Sequence, residues 1–223
     1  MTKYTAINSS DGFSFGTYQS EPAANCKGAV VVLQEIFGVN LHIRDVVDGY
    51  ASSGYFAIAP QIFDRVERSI ELGYGEEGMS RGVELAFQQL EMSQTLADIQ
   101  ATIEYASSFG KVAIVGYCFG GLLSWLSACQ LEGVSAASCY YGGGLALQKD
   151  LIASCSVIMH FGDRDAHIPL SDVDSIRDAQ PKADIYVYEA DHGFNCNVRE
   201  SYDELSANLA LQRTLAFFDK HLS

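Results

Sequence analysis

Gly116-Tyr117-Cys118-Phe119-Gly120-Gly121 is the stretch whose residue types and spacing point most directly to chemistry. It joins an apolar run, Lys111–Val115, with the pattern of a strand to Phe119–Leu131, with the pattern of a helix. A cysteine flanked by glycines at such a junction occupies a strained turn that a neighbouring Cβ would obstruct. The turn lifts the Cys118 side chain out of the sheet and leaves it at a helix N-terminus. There the helix dipole favours a thiolate, and the amide of Phe119 is placed to donate to an oxyanion. The same residues also admit a plainer reading, a glycine-rich turn around an inert, buried cysteine.

Two later segments supply an acid and a base. The strand Ser156–Phe161 ends in Gly162-Asp163-Arg164-Asp165-Ala166-His167-Ile168-Pro169, and the strand Ile185–Tyr188 leads into Glu189-Ala190-Asp191-His192-Gly193-Phe194. Each lies just past the carboxyl end of a strand, where an open sheet gathers its site. Nucleophile, acid and histidine in that chain order is one of the arrangements triads adopt. Asp165 is expected to orient His192 and stabilise its protonated form, and His192 to take the proton of Cys118. Other roles compete: both Asp163 and Asp165 suit a turn ahead of a helix, and His167 is a rival base on the acid's own loop. His160, inside an apolar strand, reads as a hydrogen-bonded core residue, whereas His42 and His221 fall on amphipathic helices and read as surface residues. His192 with Cys196 makes only half of a metal-ligand set. Glu35 follows the apolar run Ala29–Leu33 and so belongs at the same sheet edge as Cys118. Its carboxylate either tunes the thiol, by accepting its proton or competing for His192, or is a hydrogen-bonded structural acid.

The elements that must position these residues alternate along the chain. Tyr4–Ile7 and Phe13–Tyr18, joined through Asp11-Gly12, read as a hairpin. Ala29–Leu33 and Tyr55–Ala59 are short apolar strands on either side of a helix over Leu41–Ser53 that stops at Gly54. Residues 63–78 read as the longest loop, and helical spacing returns over Arg81–Ser108 in two pieces. Ala136–Tyr140 is a further strand and Ser171–Ala179 a short helix. Ser201-x-x-Glu204 resembles a capping box for a last helix with the stripe Ala207, Leu211, Leu215, Phe218 and Leu222. Strands alternating with helices argue for one α/β domain, residues 1–223, around a mostly parallel sheet.

Composition narrows the partners. A chain of 223 residues, 48% hydrophobic and 19% charged with 4 prolines, is able to build a core without a disulfide or metal staple. With 14 basic against 28 acidic residues the formal charge is −14, which repels nucleic-acid phosphates and anionic lipid. No apolar run is long enough to span a membrane, and Met1–Thr5 opens no apolar signal core. The six cysteines show no C-x-x-C pair and mostly lie in apolar runs, as free thiols of a reducing compartment do. The expectation is a cytoplasmic protein without nucleic-acid or membrane partners.

Four segments together resemble the dienelactone hydrolase family of α/β-hydrolases: Gln34-Glu35-Ile36-Phe37-Gly38-Val39-Asn40, the G-Y-C-F-G-G elbow, the G-D-R-D-A-H-I-P loop, and Asp191-His192-Gly193-Phe194. The resemblance implies an α/β-hydrolase fold, a mostly parallel sheet of about eight strands opened by the N-terminal hairpin, with helices on both faces. It also implies a Cys118, His192, Asp165 triad, Glu35 as the family's extra carboxylate near the thiol, and an oxyanion hole from the amides of Ile36 and Phe119. The implied reaction is hydrolysis of an activated ester or lactone of the enol-lactone type through a cysteinyl acyl-enzyme, with no metal or organic cofactor. Its partner is a small-molecule ester or lactone, and the expected assembly is a monomer or weak homodimer. The alternatives are a thioesterase or broad small-ester carboxylesterase and, from another class, a non-catalytic binding protein with Cys118 as a redox-responsive thiol. Dienelactone hydrolases bind a substrate carboxylate with arginines, one of them shortly after the catalytic histidine. Here that stretch reads Phe194-Asn195-Cys196-Asn197-Val198-Arg199, and Gln61 stands after Pro60 where the family tends to have an acid. Arg81, expected to open a helix after the long loop, is the first candidate for a substrate carboxylate and Arg199 the second. A surface pair of Arg81 with Glu84 or Glu77 is the plainer reading.

Overall fold

The computed structural model describes residues 3–223. Apolar runs without alternation form its central strands: β3 (Ala29–Leu33), β4 (Phe56–Pro60) and β5 (Val112–Tyr117) are buried at every residue, as strands covered on both faces must be. β6 (Val134–Tyr140), β7 (Ser156–Gly162) and β8 (Asp184–Tyr188) extend the sheet on one side. On the other, β1 (Lys3–Asn8) and β2 (Ser14–Ser20) add the expected antiparallel hairpin. The spatial order is β1-β2-β4-β3-β5-β6-β7-β8, and every pairing from β4 to β8 is parallel. This is the α/β-hydrolase arrangement. On one face α1 (Leu41–Ser52) and α6 (Glu204–Leu222) meet through Tyr50 and Phe218, whose ring centroids are 6.1 Å apart. On the other, α3 (Met92–Ala106) and α4 (Phe119–Gln130) touch each other and the sheet. Among the described residues no helix is long and apolar enough to cross a membrane.

The topology explains where a site can form. From β3 the chain steps outward to β4, then crosses back to lay β5 on the opposite flank of β3. The carboxyl ends of β3 and β5 therefore bound the crevice where the strand order reverses. Leu33 pairs with Gly116 in register, so Glu35 and Cys118, each two residues further on, leave the sheet at the same level.

Several expectations need correction. His42 is not a surface residue: Leu41 takes the solvent side of α1, and His42 turns inward with Ile43, Val47 and Tyr50. His221 is half-buried against Phe217. Ser201 does not cap the last helix. Asp203, a carboxylate and the stronger acceptor, receives the Ser206 amide at 2.8 Å, and the helix begins at Glu204. The inward stripe of α6 runs through Ala207, Ala210, Thr214, Phe217, Phe218 and Leu222, with Leu211 exposed. Thr214 earns its place by hydrogen bonds to Tyr140 and His160. Finally, α2 spans Glu76–Glu84, so Arg81 sits inside a helix rather than opening one.

Candidate active site

The turn between β5 and α4 is strained at one residue. Cys118 has φ +55° and ψ −114°, a backbone conformation costing a residue with a side chain about 1–3 kcal/mol. The surroundings hold it there: its amide donates to the Tyr140 carbonyl at 3.0 Å, and its carbonyl accepts from Gly121 and Leu122. A Cβ on Gly116 would collide with the Gly120 carbonyl, and one on Gly120 with the Leu33 carbonyl. The glycines thus let β3, β5 and α4 approach closely enough to force the turn. The cysteine side chain is half-buried at the first turn of α4, where the Phe119 amide is among those an α-helix leaves without an internal partner.

His192 and Asp165 arrive from the ends of β8 and β7. Nδ1 of His192 lies 2.7 Å from Oδ2 of Asp165. The other oxygen, Oδ1, accepts the amides of His167 and Ile168 at 2.8 and 3.2 Å, which fixes the carboxylate's orientation. Both side chains are buried. The ring also lies next to the Cys118 thiol. Burial alone would discharge the imidazole, but Asp165 and the thiol outweigh it and push its pKa up to about 10. The ring therefore carries a proton at neutral pH. Of the sequence candidates, Cys118, His192 and Asp165 come together. Asp163 faces solvent beside Arg164, and His167 offers Asp165 its backbone amide while its exposed ring lies edge-on to His192. His160 is a fully buried core residue bonded to Tyr188 and Thr214, held neutral chiefly by burial.

Glu35 is fully buried, and neither carboxylate oxygen has a hydrogen-bond partner. Its nearest cation is Arg199, whose Nη1 lies 3.9 Å from Oε1 and whose guanidinium stands over Phe37 and Tyr74. Ile36 follows directly, at the crevice opposite Phe119. Arg81 is engaged elsewhere: it bonds Glu84 at 2.8 Å, as the plainer reading had it, and Glu67 at 2.9 Å.

Comparison with known proteins places this geometry. The profile of the Dienelactone hydrolase family matches residues 15–222. The chain belongs to the dienelactone hydrolase family. It is 32% identical to the carboxymethylenebutenolidase of Pseudomonas putida, covering 97% of this chain and 96% of that protein. A Synechocystis relative, provisionally named for the same activity, is 37% identical over 92% of this chain and 91% of its own. A Klebsiella pneumoniae crystal structure provisionally described as a dienelactone hydrolase superposes with a TM-score of 0.85 at 32% identity, covering 98% of both chains. This dienelactone hydrolase family member is thus a hydrolase with the α/β-hydrolase fold.

Of three further residues of the site, the sequence reading passed over Tyr141, quoted Asp191 only within the histidine motif and weighed Cys196 only as a metal partner of His192. Tyr141, at φ +36° just past β6, is buried and stands edge-on to His192 with centroids 5.1 Å apart. Its position beyond a strand end was the available signal, but one aromatic in an apolar run reads as core. Asp191 accepts the His192 amide at 2.7 Å and shapes the loop that delivers the ring. Cys196 is fully buried near Glu35, next to the Tyr74 hydroxyl.

Proposed function

We propose that the protein hydrolyses an enol lactone or similarly activated ester through an acyl-enzyme on Cys118. The observation that supports this reading is the His192–Asp165 hydrogen bond with the Cys118 thiol next to the same ring, whose pKa is raised to about 10. Transfer of the Cys118 proton to His192 gives a thiolate facing an imidazolium. The thiolate adds to the substrate carbonyl, and the developing oxyanion is received by the amides of Ile36 and Phe119. Collapse breaks the carbon–oxygen bond to the leaving group, which takes the proton of His192. Neutral His192 then removes a proton from water as it attacks the thioester, and the thiolate departs as the imidazolium is restored.

The nucleophile limits the substrate. From the tetrahedral adduct of an ordinary alkyl ester, a thiolate leaves more readily than an alkoxide, and the reaction returns to substrate. An enol lactone releases a stabilised enolate, and collapse goes forward. The names of the Pseudomonas putida and Synechocystis relatives agree with this class. The substrate of this reading is a small organic ester held at the carboxyl ends of β3 and β5. Glu35 leaves β3 at the level at which Cys118 leaves β5, and Arg199 is the cation closest to that carboxylate. A panel of an enol lactone, a thioester and an aryl ester, run before and after thiol alkylation, tests the proposal. The enol lactone should be turned over fastest and all turnover should vanish on alkylation. Preference for the thioester would assign a thioesterase, and no turnover of any member would favour a binding protein.

A further inference from the structure

Three side chains from separate parts of the fold meet at one buried point. Glu35 comes from the loop after β3, His42 from the first turn of α1, and Cys196 from the turn after the His192 loop. A carboxylate oxygen, a ring nitrogen and the thiol sulfur all lie within 4.8 Å of one another. Glu35 and Cys196 are fully buried and His42 is 4% exposed. Both oxygens of Glu35 and Nε2 of His42 have no hydrogen-bond partner. Unpaired buried polar groups each cost about 1–3 kcal/mol, more when charged, so the protein here gathers unused lone pairs at one place.

We infer that Glu35, His42 and Cys196 bind a divalent transition-metal ion of the zinc class. The donor set is the argument. Carboxylate, imidazole and thiolate together suit a borderline-soft ion with its fourth position left to water, whereas magnesium and calcium require oxygen ligands. The charges close as well: a dication with one carboxylate, one thiolate and a neutral imidazole is neutral overall, which a buried site requires. An imidazole ligates as the neutral ring. Binding forms metal–oxygen, metal–nitrogen and metal–sulfur bonds and breaks the S–H bond of Cys196, whose proton goes to solvent. No atom changes oxidation state. The approach is from the His42 side, where His42, Asn195, Asn197 and Asp45 line a surface cavity of about 220 Å³. Asp45 there is a carboxylate at the approach of a cation. The facing groups are Asn197 beside the His42 ring, Tyr74 beside Cys196, and the Arg199 guanidinium. Arg199 is the one that opposes the ion. The pairing that the sequence suggested, His192 with Cys196, is not the one that converges. A metal on Glu35 would fix the loop that leaves the sheet level with Cys118 and carries the Ile36 amide, so occupancy should lower turnover; this consequence alone rests on the proposed reaction.

The test is a titration of chelator-treated, full-length protein with Co²⁺, followed by optical absorption and displacement with Zn²⁺. One equivalent should produce visible d–d bands and a near-ultraviolet sulfur-to-cobalt charge-transfer band. Cys118→Ala should keep that band, and Cys196→Ser should lose it with the fold intact by circular dichroism. His42→Ala should weaken binding by more than the roughly 10–100-fold expected for loss of an outer partner. Arg199→Ala should tighten it, by removing the competing cation. Absence of the charge-transfer band from the unmodified protein overturns the site whatever the variants do. A band lost in Cys118→Ala but kept in Cys196→Ser also overturns it, and places the ion on the reactive thiol instead.

Discussion

Asp165→Asn isolates the orienting carboxylate, and the structure sets the size of the effect. Oδ1 is held by two backbone amides, both of which need an acceptor. The asparagine carbonyl will therefore stay with them and direct its amide group at Nδ1 of His192, where Oδ2 now accepts at 2.7 Å. Nδ1 must then act as acceptor, which moves the ring's proton to Nε2, the nitrogen left to face Cys118. A ring in that tautomer cannot take the thiol proton. The analogous substitution in a serine triad lowers turnover about 10⁴-fold, which corresponds to about 5.5 kcal/mol at 1.36 kcal/mol per tenfold. A loss of about 10³–10⁴-fold in kcat/KM on an enol ester is expected here. The His192 pKa, read from its ring protons by NMR, should fall from about 10, because the bond to Asp165 leads the causes that raise it. Asp163→Asn is the control. That side chain is exposed and only 4.0 Å from Arg164, a pair worth about 0–1 kcal/mol, so turnover should hold within about twofold. A loss under tenfold in Asp165→Asn, or a larger one in Asp163→Asn, would refute the assignment.

Three further predictions follow from the same geometry. Gly120→Ala drives a Cβ against the Leu33 carbonyl, so urea unfolding should show a loss of about 1–3 kcal/mol or more, together with reduced turnover; an unchanged midpoint would mean the elbow relaxes freely. His192 has a raised pKa, so its stabilising contribution is complete below its unfolded value of about 6.5 and disappears as pH rises through about 10. The stability gap between the native protein and His192→Gln should shrink over that window, and a gap constant with pH would contradict the ion pair. Arg199→Ala should raise KM selectively for a carboxylate-bearing lactone, by the equivalent of about 2–5 kcal/mol if the pair is desolvated, whereas Arg81→Ala, whose guanidinium already serves Glu67 and Glu84, should act equally and weakly on anionic and neutral substrates.

Much of this site was legible because its chemistry is local. The glycines around Cys118, the acid after β7 and the histidine after β8 each lie within a few residues of a strand end, and strand ends are what apolar runs mark. Chain order could not separate Asp163 from Asp165, which the family resemblance favoured; in the fold Asp165 stands 2.7 Å from His192 and Asp163 beside Arg164. What stayed hidden depends on helix rotation and long-range pairing. Leu41 and His42 are adjacent, and only packing of α1 against the sheet decides which of them faces inward. Ser201 matched a capping pattern, but the tertiary path of the chain let Asp203 provide the cap. The partners of Arg81 include Glu67, fourteen residues away across an irregular loop, which no periodicity could join to it. The convergence of Glu35, His42 and Cys196 needs two loops and a helix placed at once, and no spacing in the chain encodes it.

The central claim is that the acyl group passes through Cys118. Enzyme quenched in acid during turnover of a slow activated ester, digested and analysed by mass spectrometry, tests it directly. The account predicts one acyl mass on the peptide containing Cys118, absent in Cys118→Ala, whose turnover is abolished while its thermal unfolding stays cooperative. An acyl group on any other residue, or an active Cys118→Ala enzyme, would contradict it.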